Sequence, residues 1–367
     1  MFALASLSFD APSTTFIRLH ARRLAPGNTV FVSTDLPEDP LPGPVLVTGG
    51  AEPVALSADG KDVVLGTALS RKIWNKREHH IARFLKHYSV KTLMAEFGPR
   101  GVAMRRPTQM AGVDLYVHFH GSDGSRALRE ERWQNRYPKL FEDAKGIFAP
   151  SRFIADNLVA AGCPADKITV TPCGIEPEHF PLSERQPKRC LAVGRFVEKK
   201  APDITVRAFL KAAEHDPDVV LDFVGDGPLL ETCKDIAGGS DQIRFHGSTG
   251  HDRVRALMGQ ATYFLQHSVT AEDGNTEGLP VAILEAMCAG HCVITTRHSG
   301  IPEAIEDGVH GLLCDEHDEA AMAANLKKAL SDQSLALELG DAARERVLAH
   351  FTADQSIAKL RSVMGLA

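Results

Sequence analysis

Short apolar runs alternate along this chain with longer segments whose apolar positions recur at helical spacing. In the first half the runs fall at Phe2–Phe9, Thr29–Ser33, Thr92–Glu96, Asp114–Phe119, Gly146–Ala149 and Ile168–Val170. Helical patterns, such as Thr15–Leu24 and Ala68–Tyr88, lie between them. The second half repeats the scheme, with strands expected near Cys190–Val193, Val219–Val224, Ile243–Phe245, Thr262–Gln266, Cys292–Thr295 and Gly311–Cys314. Its helices are expected near Ala201–His215, Leu229–Ile236, Arg253–Met258, Pro280–Ala289, Glu319–Ser331, Leu335–His350 and Asp354–Met364. Such alternation predicts βαβ units and parallel sheets, an α/β protein. Residues 28–53 show no clear period beyond the strand at Thr29–Ser33, and Pro37–Pro44 reads as a surface loop. The polar stretch Glu176–Lys188, with Pro177, Pro181 and Pro187, reads as an interdomain linker.

Within this alternation the helix predicted after Pro280 stands apart. Pro280 reads as its first helical residue and Gly290 as its stop. Val281, Ala282, Ile283, Leu284, Ala286, Met287, Cys288 and Ala289 are apolar or small, so the helix is expected to be buried all round. Glu285 is the exception, because a carboxylate in such surroundings is costly unless something bonds to it. Glu277 lies eight residues earlier, in a Glu-Gly turn at the helix N-terminus, where backbone N–H groups suit a phosphate. Read from residues alone, Glu285 could equally pair with a core cation and Glu277 could be solvated.

Length and composition fit a two-domain globular protein: 367 residues, 44% hydrophobic and 24% charged. No run of about 18 apolar residues predicts a membrane span. The N-terminal MFALASLSFDAPS lacks a basic leader and reads as a first buried strand. Seven cysteines, without a C-x-x-C pattern, fit a reducing cytoplasm. The charge of −6 is uneven. Residues 1–172 hold 22 Lys and Arg against 17 Asp and Glu, and the remainder 19 against 30. A basic N-terminal half suggests an anionic partner, a membrane surface or an acidic acceptor. Arg71, Lys72, Lys76, Arg77, Arg83 and Lys86 on the Ala68–Tyr88 helix offer one lipid-docking face, or an ordinary solvated one. His118 and His120 give the one ligand-like histidine spacing, a weak metal signal, and no metal site is expected.

Two more segments carry candidate chemistry. Gly194-Arg195-Phe196-Val197-Glu198-Lys199-Lys200 places an arginine and a lysine five residues apart after a strand, a pair able to neutralise a diphosphate. Val224-Gly225-Asp226-Gly227-Pro228 lacks the third glycine of a dinucleotide fingerprint and reads as a structural turn.

From Glu277 through Leu313 the sequence resembles the signature of retaining glycosyltransferases of family 4, an E-x7-E pair within EG(F/L)(G/P)xxxLEAMAxG. Ser299-Gly300-Ile301-Pro302-Glu303 through Gly311-Leu312-Leu313 follows the family's GG(I/V)PExIxDGxxGxLV segment. Arg195 and Lys200 match the cations of its GRLVEKKG motif, although Ala201 replaces the final glycine. His118-Phe119-His120-Gly121-Ser122-Asp123 is similar to its HFHG-x-D loop, and Ser13-Thr14-Thr15-Phe16 to the P-S-x-T-F-I turn of polysaccharide-assembly members.

The resemblance implies a GT-B architecture of two Rossmann-like domains facing a central cleft. Residues 1–175 would form the acceptor side, 176–350 the nucleotide-sugar side, and 351–367 a helix crossing back. It implies a metal-independent hexosyltransferase without a cofactor. A UDP or GDP sugar would be the donor and a glycan or lipid-linked molecule the acceptor, in cell-surface polysaccharide synthesis, cytoplasmic or peripheral on the inner membrane. No nucleic-acid partner is implied. His120, Glu277, Arg195 and Lys200 would serve catalysis. Arg195, Lys200, Glu277, Gly278, Leu279, Pro280, Glu285 and His246 would hold the donor, Glu285 through its ribose. Glu96-Phe97-Gly98-Pro99-Arg100-Gly101 is expected as a glycine-bearing loop lining the cleft. The alternatives are a nucleotide-sugar epimerase of the same fold and a non-catalytic nucleotide-sugar-binding protein.

Overall fold

The computed structural model describes residues 1–10, 15–50, 52–61, 63 and 76–366. It forms two compact units, Met1–Pro172 with Ser356–Ala367, and Cys173–Gln355.

Unit 1 is built on eight strands: β1 (Phe2–Ala5), β2 (Thr29–Ser33), β3 (Val45–Val47), β4 (Val54–Leu56), β5 (Thr92–Glu96), β6 (Asp114–His118), β7 (Gly146–Ala149) and β8 (Ile168–Val170). Their order is β4-β3-β2-β1-β5-β6-β7-β8. All neighbours run parallel except β3 and β4. The central strands β1, β2, β5 and β7 are buried along their whole length, which is why they read as continuous apolar runs. The short pair β3 and β4 was not expected, and lies where the sequence shows no period.

A second difference falls after β5. Gly98–Ala111 is a 14-residue helix, not a loop. Its two early glycines exist for close packing. A Cβ on Gly98 would lie 2.4 Å from the Phe119 ring, and one on Gly101 would lie 2.7 Å from Val117. The Ala68–Tyr88 pattern gives a helix at Lys76–His87, and residues 68–75 lie outside the described residues, as do Ser13 and Thr14. The helix Ala353–Met364 supplies the last piece of unit 1, where Ser356 donates to the Pro172 carbonyl at 2.8 Å. The Tyr116 hydroxyl bonds the Val363 carbonyl at 3.3 Å.

Unit 2 holds β9 (Arg189–Val193), β10 (Val220–Val224), β11 (Ile243–Gly247), β12 (Tyr263–Gln266), β13 (Cys292–Thr296) and β14 (Leu312–Cys314). They lie in the order β11-β10-β9-β12-β13-β14, every pair parallel. The segment expected as a linker is packed instead. Phe180 is buried, and Arg185 bonds both the Gly290 carbonyl and Asp341. The Gly225-Asp226-Gly227 turn is structural: Gly225 has φ 141°, and a Cβ there would meet the Gly194 carbonyl oxygen at 1.9 Å. All seven cysteines are buried and free.

Candidate active site

In open parallel sheets, ligand groups collect beyond the carboxyl ends of the strands. Three adjacent strands of unit 2 end this way: β9 before Gly194 and Arg195, β12 at Gln266, and β13 before His298. Arg195, Lys200, Gln266 and Thr205 line one small hollow there. Arg195 is exposed and pairs with no acidic side chain among the described residues. Lys200 is half-buried, and its ammonium lies 3.3 Å from both Gln266 Oε1 and Glu277 Oε1. Burial lowers the Lys200 pKa despite the neighbouring carboxylate.

Glu277 is buried between two cations. Lys199 Nζ stands 3.4 Å from the same Oε1 and donates to the Thr276 carbonyl at 3.2 Å. Burial pushes the Glu277 carboxyl up, but Lys199, Lys200 and His298 outweigh it and hold it at about 2. Lys199 belongs to no sequence-based expectation. It sits in the tight turn Glu198–Lys200, and the left-handed Ala201 (φ 34°) then starts the helix Pro202–Ala213. That turn brings both lysines inward, so a string that looks like a solvated charge run holds two enclosed cations.

A second support reaches Glu277 through its backbone. Its N–H donates to His298 Nε2 at 3.0 Å, so the His298 proton must sit on Nδ1. Nδ1 faces Glu316 Oε1 at 2.6 Å, and Glu316 also accepts the Thr270 N–H at 2.7 Å. Ser299 donates to the Glu277 carbonyl, and Gly300 N–H to that of Gly278 at 3.1 Å. The Glu277-Gly278-Leu279 turn is therefore held from behind.

The following helix runs over Val281–Cys288, with Pro280 just before it rather than at its first position. The N–H groups of Ile283 and Leu284 both reach the Pro280 carbonyl, leaving those of Val281 and Ala282 without a backbone acceptor among the described residues. Nor is the helix buried all round: Val281, Ala282 and Glu285 are half-buried and share one face. Glu285 has no ion pair or hydrogen bond from its side chain among the described residues. Burial pushes its carboxyl up to about 7, with only distant relief from Arg255. His246, expected beside the base, has its ring Nε2 2.7 Å from Asp222, which also binds Arg189 at 2.8 Å.

In unit 1, His120 follows β6 and is also enclosed. Its ring lies 4.5 Å from both Phe16 and Phe97, centroid to centroid, and its Nε2 is 3.0 Å from Glu96 Oε2. Asp123 accepts the His120 and Gly98 N–H groups at 2.9 and 2.7 Å. His20, Glu96 and His118 bring donor atoms within 4.8 Å of one another, a set chemically able to hold a divalent ion. Glu96 spends both oxygens on imidazoles at hydrogen-bond spacing, however, and the cluster is built as a hydrogen-bonded group.

Beyond the ends of its parallel strands, unit 2 thus offers cations, an open helix N-terminus and a carboxyl without an ion pair among the described residues, a framework suited to an anionic, hydroxyl-bearing ligand. Comparison with known proteins agrees. Residues 175–346 match the glycosyl transferases group 1 model, and residues 29–179 the glycosyltransferase family 4 model. The amylovoran biosynthesis glycosyltransferase AmsK of Erwinia amylovora is 34% identical over 77% of this chain and 72% of its own length. The putative colanic acid biosynthesis glycosyltransferase WcaL of Escherichia coli is 31% identical over 65% and 61%. The chain thus spans about three fifths of that relative. The crystal structure of Anabaena HepE with UDP-glucose superposes with a TM-score of 0.78 at 15% identity, covering 100% of both chains. This chain belongs to glycosyltransferase family 4 and is similar to its polysaccharide-assembly members.

Proposed function

We propose that the chain transfers a hexose-type sugar, with retention and without a metal, from a nucleoside diphosphate to a glycan or lipid-linked acceptor of cell-surface polysaccharide. The observation that carries the reading is Glu285, a desolvated and unpaired carboxyl on the open face of the helix whose first amides are unclaimed. A carboxyl in that state is suited to ligand hydroxyls, here those of the ribose. The diphosphate would lie against the Val281 and Ala282 amides, with Arg195 and Lys200 neutralising it as it departs.

In the transfer, the bond from the anomeric carbon to the diphosphate breaks and the electron pair leaves with the phosphate. The acceptor oxygen takes its place, and its proton passes to solvent or to the departing phosphate. Glu277, shared by two lysines, is a stable anion and a weak nucleophile. Its role is to hold sugar hydroxyls and to fix the lysines. His120 is assigned to the sugar side. The similarity of HepE, crystallised with UDP-glucose, supports a UDP sugar as the first donor to try.

The test is product formation with labelled UDP and GDP sugars in excess EDTA. Transfer under chelation with retained anomeric configuration is expected. Loss restored by Mg²⁺ would remove the two-cation clamp, and sugar interconversion without transfer would favour an epimerase.

An anionic membrane face is proposed as well. Among the described residues, Arg132 and Arg136 lie 4.6 and 5.8 Å from the Trp133 ring, and Arg126, Arg129 and Lys139 are exposed in the same stretch, which also exposes Glu131 and a Glu130 paired with Arg126. No helix among the described residues is long and apolar enough to cross a membrane. Binding to anionic vesicles that weakens with salt would support this face, and equal binding to neutral vesicles would reject it.

A further inference from the structure

Gln266 is the last residue of β12, the strand between β9 and β13 in the sheet of unit 2, and it is buried. Lys200 donates to its Oε1 at 3.3 Å. Glu277 Oε1 lies equally far from that ammonium. It has no hydrogen-bond partner among the described residues, however, and meets both lysines at ion-pair distance only. The direction of the Lys200 ammonium is therefore set by an amide and not by the carboxylate. Lys199 is directed likewise, by the Thr276 carbonyl at 3.2 Å.

The amide can face only one way. Its Nε2 donates to the buried Ser268 hydroxyl at 2.7 Å. Turning it over would set an NH₂ donor against an ammonium, which has donors only. The backbone beneath is held from β13, where Thr295 donates to the Gln266 carbonyl at 2.7 Å and Thr296 to the Ser268 carbonyl at 2.6 Å. Each step from β13 to the Lys200 ammonium is thus a hydrogen bond. The neutrality of the acceptor matters as much as its place. Lys199 and Lys200 share one carboxylate, and a second carboxylate at position 266 would cancel their excess of positive charge. An amide oxygen holds an ammonium without doing so. We propose that Gln266 is the positioning residue of Lys200, holding the ammonium at the hollow it shares with Arg195 and leaving its charge for an anionic ligand. This role rests on the reading of Arg195 and Lys200 as the diphosphate clamp. The charged groups facing Lys200 are Glu277 and Lys199 from the two turns and Arg195 after β9, while β12 adds none.

The experiment compares the native chain with Gln266→Met, Gln266→Glu and Ser268→Ala. Two properties are measured: calorimetric binding of UDP and GDP, and turnover of labelled UDP and GDP sugars across pH. Gln266→Met keeps the volume and removes the acceptor, so kcat should fall by about tenfold or more. Losing that acceptor disfavours the charged ammonium, so the alkaline limb of kcat should move to lower pH. Gln266→Glu favours the charged ammonium and should move the same limb to higher pH. Its added negative charge should weaken nucleotide binding by about tenfold or more, most strongly at low salt. Ser268→Ala leaves the amide oxygen in place but frees its orientation, and should lower kcat by less than Gln266→Met. That variant keeps the role testable if a Gln266 variant fails to fold. Native kcat in Gln266→Met or in Ser268→Ala, or a limb that moves the same way in both Gln266 variants, would overturn it. A native chain that binds neither UDP nor GDP would remove the clamp itself and this role with it, so the two failures are told apart.

Discussion

The two units each bury a glutamate at the carboxyl edge of a parallel sheet, and they surround it with different kinds of base. Glu277 in unit 2 has two ammonium groups, Lys199 and Lys200. Glu96 in unit 1 has three imidazoles. Two ammonium groups share one carboxylate there, so the Glu277 site offers an excess of positive charge to an anionic ligand. The rings around Glu96 are hydrogen-bonding groups whose donor and acceptor roles depend on the tautomer, so that site is organised by hydrogen bonds to one carboxylate. A pair of cations suits a leaving diphosphate, whereas rings tied to one carboxylate are held in place by it. Glu285 sets off both sites, since it is half-buried with no ion pair among the described residues.

Breaking the two-lysine site should have the largest effect. Lys199→Met leaves Glu277 with one partner and is expected to destabilise the protein by ~3–5 kcal/mol, read by urea unfolding. If Lys199 is only a surface cation, stability will hold within ~0.5 kcal/mol.

Next in size is turnover. Lys200→Ala and Arg195→Ala should each lower kcat by ~10²–10³-fold, and the double variant by less than the product, because the two act on one leaving group. Full activity in either single variant would remove that residue from the clamp.

Glu285 tests the third kind of carboxyl. With its folded value raised to about 7, the protein without ligand is most favoured by this group below its unfolded value of ~4.3, and stability is lost as pH rises through 7. Glu285→Gln should therefore raise the melting temperature at pH 8, by up to ~3 kcal/mol in stability, and leave it unchanged at pH 4. Nucleotide affinity should fall by ~1.5–3 kcal/mol, measured by calorimetry. Destabilisation at pH 8 would return Glu285 to a core ion pair. Glu277 has the opposite sign: its depressed value stabilises the fold above ~4.3 and that stability is lost as pH falls towards about 2.

The smallest effect is expected behind the site. His298→Ala leaves the Glu277 N–H without its acceptor, so donor KM should rise with a stability loss of ~1–2 kcal/mol. An unchanged donor KM would mean that the turn is held by Ser299 and Gly300 alone.

Parts of both sites were legible in the sequence because they are contiguous. The Glu277–Glu285 and Arg195–Lys200 spacings survive as strings, and most strands of the two sheets read correctly from their apolar runs. Lys199 was not legible, since nothing in one dimension separates an enclosed lysine from the solvated one it resembles. Glu96 and His20 stand 76 positions apart and meet only because β1 and β5 are neighbours in the sheet. The Gly98–Ala111 helix was hidden by its composition. Glycine and proline argue for a loop, but close approach to Phe119 and Val117 overrides that preference. The short strands β3 and β4 offered too few residues for a period to show.

The last helix also bears on how the chain is made. Ile357, Leu360 and Met364 are buried, and Ser356 closes onto Pro172 within unit 1. On the ribosome, residues 1–172 emerge first, yet their final packing partner follows only after the whole of 173–355. At about 5–20 residues per second, that is a wait on the order of ten seconds or more. Unit 2 can close as soon as its own segment is out, so the half synthesised second is the half completed first. During the interval unit 1 must tolerate a bare apolar strip, a window in which a chaperone would have a natural place to bind.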